Sequence, residues 1–223
     1  TSYTATSSPG DITGTLSQAG SGDITVTGLT NSTIYSFTIT ATNAIGTSAA
    51  SAVSNTVVPI ESEYEIGTYY GGGIIYYIYV SGDAGYVSGE THGLILALED
   101  QSSGIQWYNG SYLSTGAYGT AIGTGSANTD AIIAVQGAPE TSYAAGLARA
   151  YNGGGYTDWF LPSKDELNLM YLNWTLIGYS YSTFEHYWSS SEFDEENAWT
   201  HNKSLWDFDK YERDIYVRAV RAF

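Results

Sequence analysis

The sequence predicts an α+β chain in which an all-β segment precedes a region of mixed strands and short helices. Three observations carry this: apolar and polar residues alternate through Ile24 to Thr27 and Ile34 to Thr42, the composition breaks near Pro59, and a helix-start signal stands at Ser163. Period-two alternation with β-branched enrichment is the pattern of half-buried strands. Gly28, Asn31 and Ser32 separate the two alternating runs as turn formers. After the break, the acidic, Ser-containing stretch from Ile60 to Glu65 reads as an exposed connector. The expected organisation is therefore an all-β segment over 1–59, a linker over 60–65 and a second domain over 66–223.

In the second region Ile74 to Val80 and Leu94 to Leu98 read as strands, and Gly71 to Gly73 mark a bulge or a close backbone approach. Helices are expected over Thr129 to Gln136, Ser142 to Tyr151 and Ser163 to Asn173. The last has the clearest local signal: Ser163 and Glu166 after Pro162 form a capping box, each satisfying a first-turn amide that the helix itself leaves unpaired. Leu167, Met170 and Tyr171, with Trp174 one turn on, supply its buried stripe.

The 223 residues carry 23 acids against 7 bases, a formal net charge of −16. A chain of that sign repels phosphate and sulfate at long range, which argues against nucleic acid and anionic membrane as partners. The absence of Cys removes disulfides, thiol nucleophiles and Cys-ligated metals. No apolar run approaches the roughly 18 residues that span a bilayer, so membrane insertion is not expected. No signal peptide precedes the polar first residues, and the chain is expected to be a piece of something longer.

Residues 1–59 resemble the second half of a fibronectin type III domain. Leu29 and Tyr35 have the spacing of that family's tyrosine corner, Ala41 to Ser48 matches its Ala-x-Asn-x-x-Gly-x-Ser stretch, and Ser51 to Pro59 looks like its last strand. The resemblance implies a fragment of a sandwich whose first two strands are missing, with its exposed edge covered by parent chain or by a neighbour.

Residues 64–223 resemble another family. Four motifs occur in order: Gly155 to Leu167 around Asp158-Trp159 and Leu161-Pro162-Ser163, then Tyr187-Trp188-Ser-Ser-Ser191-Glu192, then Ala198-Trp199, then Val217 to Phe223. They look like the C-terminal domain of the Legionella collagen-like adhesin family, and more distantly like C-type-lectin and formylglycine-generating-enzyme folds. The resemblance implies an irregular, β-rich, lectin-like domain that holds extracellular ligands. The enzymatic branch needs cysteines that this chain lacks, so no enzyme is expected. Sulfated glycans, credited to some adhesin members, fit poorly with 21 acids against 7 bases beyond residue 59.

Candidate ligand-binding residues follow from chemistry. Rigid amphipathic rings interleaved with small polar groups suit sugar and receptor contacts. That pattern singles out Tyr179, Tyr181 and Tyr187, and further along Trp206 and Asp207, with Glu192, Asp194 and Asn197 between them. No cofactor motif is present. The acidic loop Asp194, Glu195, Glu196 and Asn197 offers hard oxygen ligands of the kind calcium takes. The expected function is an extracellular, cell-surface adhesion or receptor-binding module for a glycan or surface protein. The alternative is a filament subunit assembled by strand donation, and a homo-oligomer is compatible with both.

Overall fold

A computed structural model describes residues 1–59, 64–138, 140–178, 185–202 and 204–223. The chain divides into two units, Thr1–Glu63 and Tyr64–Phe223.

In the first unit β1 (Ser2–Ser8) lies between β2 (Thr13–Leu16) and β3 (Ser36–Thr42), all antiparallel. The Tyr35 hydroxyl accepts a hydrogen bond from Thr30 N at 3.0 Å, closing the turn that leads into β3. The expected strand at Ile24 to Thr27 is not formed, because among the described residues its backbone has no partner strand. Its apolar residues Ile24 and Val26 still join Ala5, Phe37 and Ile39 in lining a groove on the sheet.

The stretch after β3 pairs in an unusual way. Ser48, Ser51 and Ser54 donate their backbone N–H to Ala41, Ile39 and Phe37 carbonyls at 2.8 to 2.9 Å. Each serine hydroxyl in turn accepts the N–H of that same β3 residue at 2.9 to 3.0 Å. Three residues of this serine strap thus match two of β3, and the hydroxyl stands in for the carbonyl that a regular strand would offer. An ordinary bridge, Tyr35 to Val57, ends the series.

In the second unit β4 (Tyr69–Tyr70), β5 (Gly73–Ile78), β6 (Gly93–Ala97) and β10 (Val220–Ala222) form an antiparallel sheet in the order β10-β6-β5-β4. Every residue of β6 is buried, and the pleat separates its neighbours. Ile95 and Ala97 join Ile75, Ala219 and Trp159 in one core; Leu94 and Leu96 join Tyr76, Val220 and Phe160 in another. Gly73 meets the expected close approach, since a Cβ there would run into the Leu96 carbonyl.

Three helices flank these cores. α1 (Gly125–Gln136) and α2 (Ala144–Ala150) contribute Ile132, Ala144, Ala145 and Ala148 to the first core, and α3 (Lys164–Asn173) contributes Leu167 and Met170 to the second. The capping box read from the sequence is formed, with Ser163 Oγ accepting from Glu166 N and Glu166 Oε2 accepting from Ser163 N at 2.7 Å. The other oxygen of Glu166 accepts from Gly123 N at 2.7 Å. One carboxylate thereby serves the start of α3 and the turn into α1, which is why α1 begins four residues before its apolar spacing does. Burial raises the Glu166 pKa, and the donated backbone bonds work against that rise.

A third antiparallel sheet, β7 (Tyr187–Glu192), β8 (Asn197–Asn202) and β9 (Ser204–Asp209), completes the unit in the order β7-β8-β9. The α+β expectation, with its lectin-like second domain and sandwich fragment, is therefore corrected. Among the described residues the architecture is sheet-rich: three small antiparallel sheets with three short helices, the first unit holding one three-stranded sheet. The helix signals were real but local; the Gly-, Ser- and Tyr-rich stretches between them build more of the structure as strands and extended chain.

Candidate functional site

The third sheet carries half of the residues singled out by sequence, and its register sorts them. Ala198 pairs with Phe208, Thr200 with Trp206, and Asn202 with Ser204; Trp188 lies opposite Thr200 from the other side. Because side chains alternate across a strand, these residues share one face, and His186 continues it one step before β7. The opposite face takes Tyr187, Trp199, His201, Leu205 and Asp207. Helix α3 packs there: His201 Nε2 lies 3.0 Å from Asn168 Oδ1, and its ring lies 4.8 Å from Tyr171.

At the β8–β9 hairpin end of the first face, His186, Asn202, Trp206 and Phe208 line a surface cleft of about 370 Å³. Trp206 is 54% exposed, a large ring offered to solvent on an edge strand. Phe208 packs on the His186 ring at 4.7 Å and forms the cleft's rear wall. His186 Nδ1 is buried and has no hydrogen-bond partner among the described residues, and burial lowers its pKa. An aromatic plane beside an amide and an uncharged imidazole can stack an apolar ring face and exchange directional hydrogen bonds at its edge.

The remaining candidates fall elsewhere. Tyr187 is 5% exposed, and its hydroxyl donates to Asp100, which also holds Arg218. Glu192 is 2% exposed. Neither is a contact surface. Asp207 is exposed but lies on the face opposite Trp206. Tyr179 and Tyr181 lie outside the described residues. The acidic loop joins β7 to β8 at the other end of β8, where Asn197 lies three strand steps, or about 10 Å, from Thr200, the partner of Trp206, and on the opposite face, so Asp194 to Asn197 and Trp206 are not gathered into one site.

That loop is organised by an ammonium group. Lys210 is fully buried, and its Nζ donates to Glu192 Oε1 at 2.5 Å and to the carbonyls of Asp194 and Glu195 at 2.8 and 2.7 Å, 4.8 Å from the centre of the Trp107 ring. Glu192 also accepts from Thr115 N, Thr115 Oγ1 and Gly116 N. The loop's inward oxygens are thus taken by lysine. Asp194 turns its carboxylate onto Glu196 N, Asn197 N and Asn197 Nδ2. Desolvation raises its pKa, but the bonds from Asn197 and Glu196 outweigh this and the net shift is downward. Among the described residues no three His, Asp or Glu side chains are grouped to hold a metal ion.

The serine run and the other large aromatics serve the interior. Ser189 Oγ donates to Trp199 O, and Ser191 Oγ donates to Gly119 O. Trp107, Trp159 and Trp188 are fully buried, and each indole N–H reaches a backbone carbonyl, at 2.8, 3.2 and 2.7 Å. Sequence reading named Trp206 but missed His186, Asn202 and Phe208 as its companions. The signal was available in the alternation of Asn202, Ser204, Trp206 and Phe208, which puts four residues on one face of a hairpin. No family model matches the chain, and no curated protein and no solved structure matches it either. No helix among the described residues is long and apolar enough to cross a membrane.

Proposed function

We propose that this chain is an extracellular recognition module that holds a glycan or a surface-protein receptor against the Trp206 cleft. The observation that carries the reading is the exposed Trp206 ring, set on an edge strand beside Asn202, His186 and Phe208 when the chain's other tryptophans are at least partly withdrawn into the fold. A soluble domain gains nothing in stability from leaving an indole in water, whereas exposed Trp is enriched among binding hot spots. The four ordered motifs that resemble an adhesin domain support the same reading, as does a charge balance unsuited to polyanions.

The test is saturable binding of the labelled chain to a glycan array and to intact cells, with and without chelator. Trp206→Ala is expected to lose binding roughly tenfold or more. The chelator arm is expected to leave binding unchanged, because Lys210 already satisfies the loop; a loss would move the site to Glu195 and Glu196. The filament alternative predicts polymers on sedimentation and silence on both surfaces, and that pair of results would overturn the recognition reading.

A further inference from the structure

An asparagine followed by glycine is open to attack by its own backbone. With no Cβ on the second residue, its amide nitrogen can close on the asparagine side chain without steric opposition. The chain contains two such pairs, Asn109-Gly110 and Asn152-Gly153, and each is preceded by a tyrosine. The fold treats them oppositely.

Asn109 is held at both ends of its amide. Its Nδ2 donates to the carbonyls of Gln136 and Ala138, both at 3.1 Å, and its Oδ1 accepts from Ser142 Oγ at 2.6 Å. Its backbone N–H donates to Gln136 Oε1 at 2.9 Å. Turning this side chain onto the Gly110 nitrogen means giving up those side-chain bonds together.

Asn152 follows the end of α2, exposed in a cleft that Glu99, Asp100 and Thr141 also line. Its side-chain amide makes no hydrogen bond among the described residues, and neither does the Gly153 N–H that would attack it. The peptide plane joining the two is tied through its carbonyl, which accepts from Gly155 N at 3.0 Å. Residues 153 to 155 are all glycine, and Gly154 and Gly155 already stand at φ of 66° and 81°. A turn of that composition has the torsional freedom to let the plane rotate.

We propose that Asn152 is a self-modification site at which the chain deamidates through a succinimide formed with Gly153. The Gly153 nitrogen bonds to Asn152 Cγ and the Cγ–Nδ2 bond breaks. Nδ2 leaves as ammonia, carrying the proton that the Gly153 nitrogen gives up. One water then opens the imide. Opening at the side-chain carbonyl gives isoaspartate's isomer, ordinary aspartate, when the bond from that carbonyl to the Gly153 nitrogen is the one cut; cutting the bond from the backbone carbonyl instead gives isoaspartate.

Either product brings a carboxylate into the cleft that Glu99 and Asp100 line, and Asp100 already holds Arg218. Isoaspartate also adds one backbone atom just before Gly153, whose carbonyl accepts the indole N–H of buried Trp159 at 3.2 Å. A change made at the surface is thereby passed to the first core of the second unit.

The experiment ages the full chain in mildly alkaline buffer, folded in one arm and unfolded in urea in the other. Peptide mass spectrometry follows the exchange of NH2 for OH, and enzymatic methylation scores isoaspartate. In the folded arm the Asn152 peptide is expected to convert roughly tenfold or more faster than the Asn109 peptide, a factor that one or two broken hydrogen bonds supply. In urea the two are expected to convert at similar rates, since both are Tyr-Asn-Gly sequences. Asn152→Gln, whose amide is one carbon too long to close the same ring, is expected to abolish isoaspartate labelling of the folded chain. Three results would each overturn the proposal: an Asn152 peptide unchanged over the time in which the urea arm converts, an Asn109 peptide that keeps pace with it in the folded chain, or the same excess of Asn152 over Asn109 in urea. Labelling of folded Asn152→Gln at the parent's rate would do so as well.

Discussion

Lys210 shows how much a single residue organises. Its ammonium group neutralises Glu192 and ties down two loop carbonyls without any exposure to solvent. Breaking one half of a buried pair leaves the other charge uncompensated, which typically costs about 3–5 kcal/mol. Lys210→Met is expected to destabilise the second unit by that amount in urea unfolding. The double variant Lys210→Met with Glu192→Gln is expected to be less damaged than Lys210→Met alone, since no carboxylate is stranded. His201 supplies the acid sensitivity. Burial, and then the neighbouring His186, lower its pKa to about 4, against roughly 6.5 in an unfolded chain. Between those values the unfolded state takes up the proton first, so stability falls as pH drops from about 6.5 to about 4 and this contribution is flat below. The loss is about 3 kcal/mol. Denaturant midpoints measured across that window check it, and His201→Gln is expected to flatten the slope.

At the scale of elements, legibility followed the range of the interactions involved. The capping box of α3 could be read because its partners are three residues apart, and the Gly73 approach because only one residue type permits it. The α1 start could not, since its turn is capped by Glu166 from another helix. The Trp206 cleft was half legible: the hairpin alternation lies in the sequence, but the pairing that adds His186 requires knowing which strand neighbours β8. Lys210 and Glu192, eighteen residues apart, looked like one base and one member of an acidic loop. The serine strap escaped because its three-residue period matches neither strand nor helix. Its hydroxyls lead to a specific expectation. Ser51→Ala removes the acceptor of the Ile39 amide, and a lost hydrogen bond is worth about 0.5–1.5 kcal/mol. Hydrogen exchange at Ile39 is expected to quicken several-fold, with Tyr3 and Ala5 in β1 unaffected; an unchanged Ile39 rate would mean that the strap does not protect β3.

For the whole molecule the decisive quantity is the charge of −16. Among the described residues of the second unit the ion pairs take up only a minority of the acids, so self-repulsion opposes the folded state, and it weakens as the Debye length shortens from about 30 Å at 10 mM salt to about 8 Å at 150 mM. Melting temperature is expected to rise with salt over this range; a fall would mean that attractive pairs such as Arg221 with Asp158 outweigh the repulsion.

The register of the first unit also determines how it would carry a load. Ser2 pairs with Thr42 and Ser8 with Ser36, while the strap runs from Ser48 beside Ala41 to Val57 beside Tyr35. β1 and the strap therefore run in the same direction on either side of β3. Tension drawn through the chain enters at Thr1 at one end of the sheet and leaves beyond Val57 at the other. Such a pull slides the strands past one another and strains the β1–β3 ladder and the serine bonds together, instead of unzipping them one at a time. Each small hydroxyl bond then shares the load with its neighbours, the loading geometry that best resists extension in a tethered module pulled along its own chain.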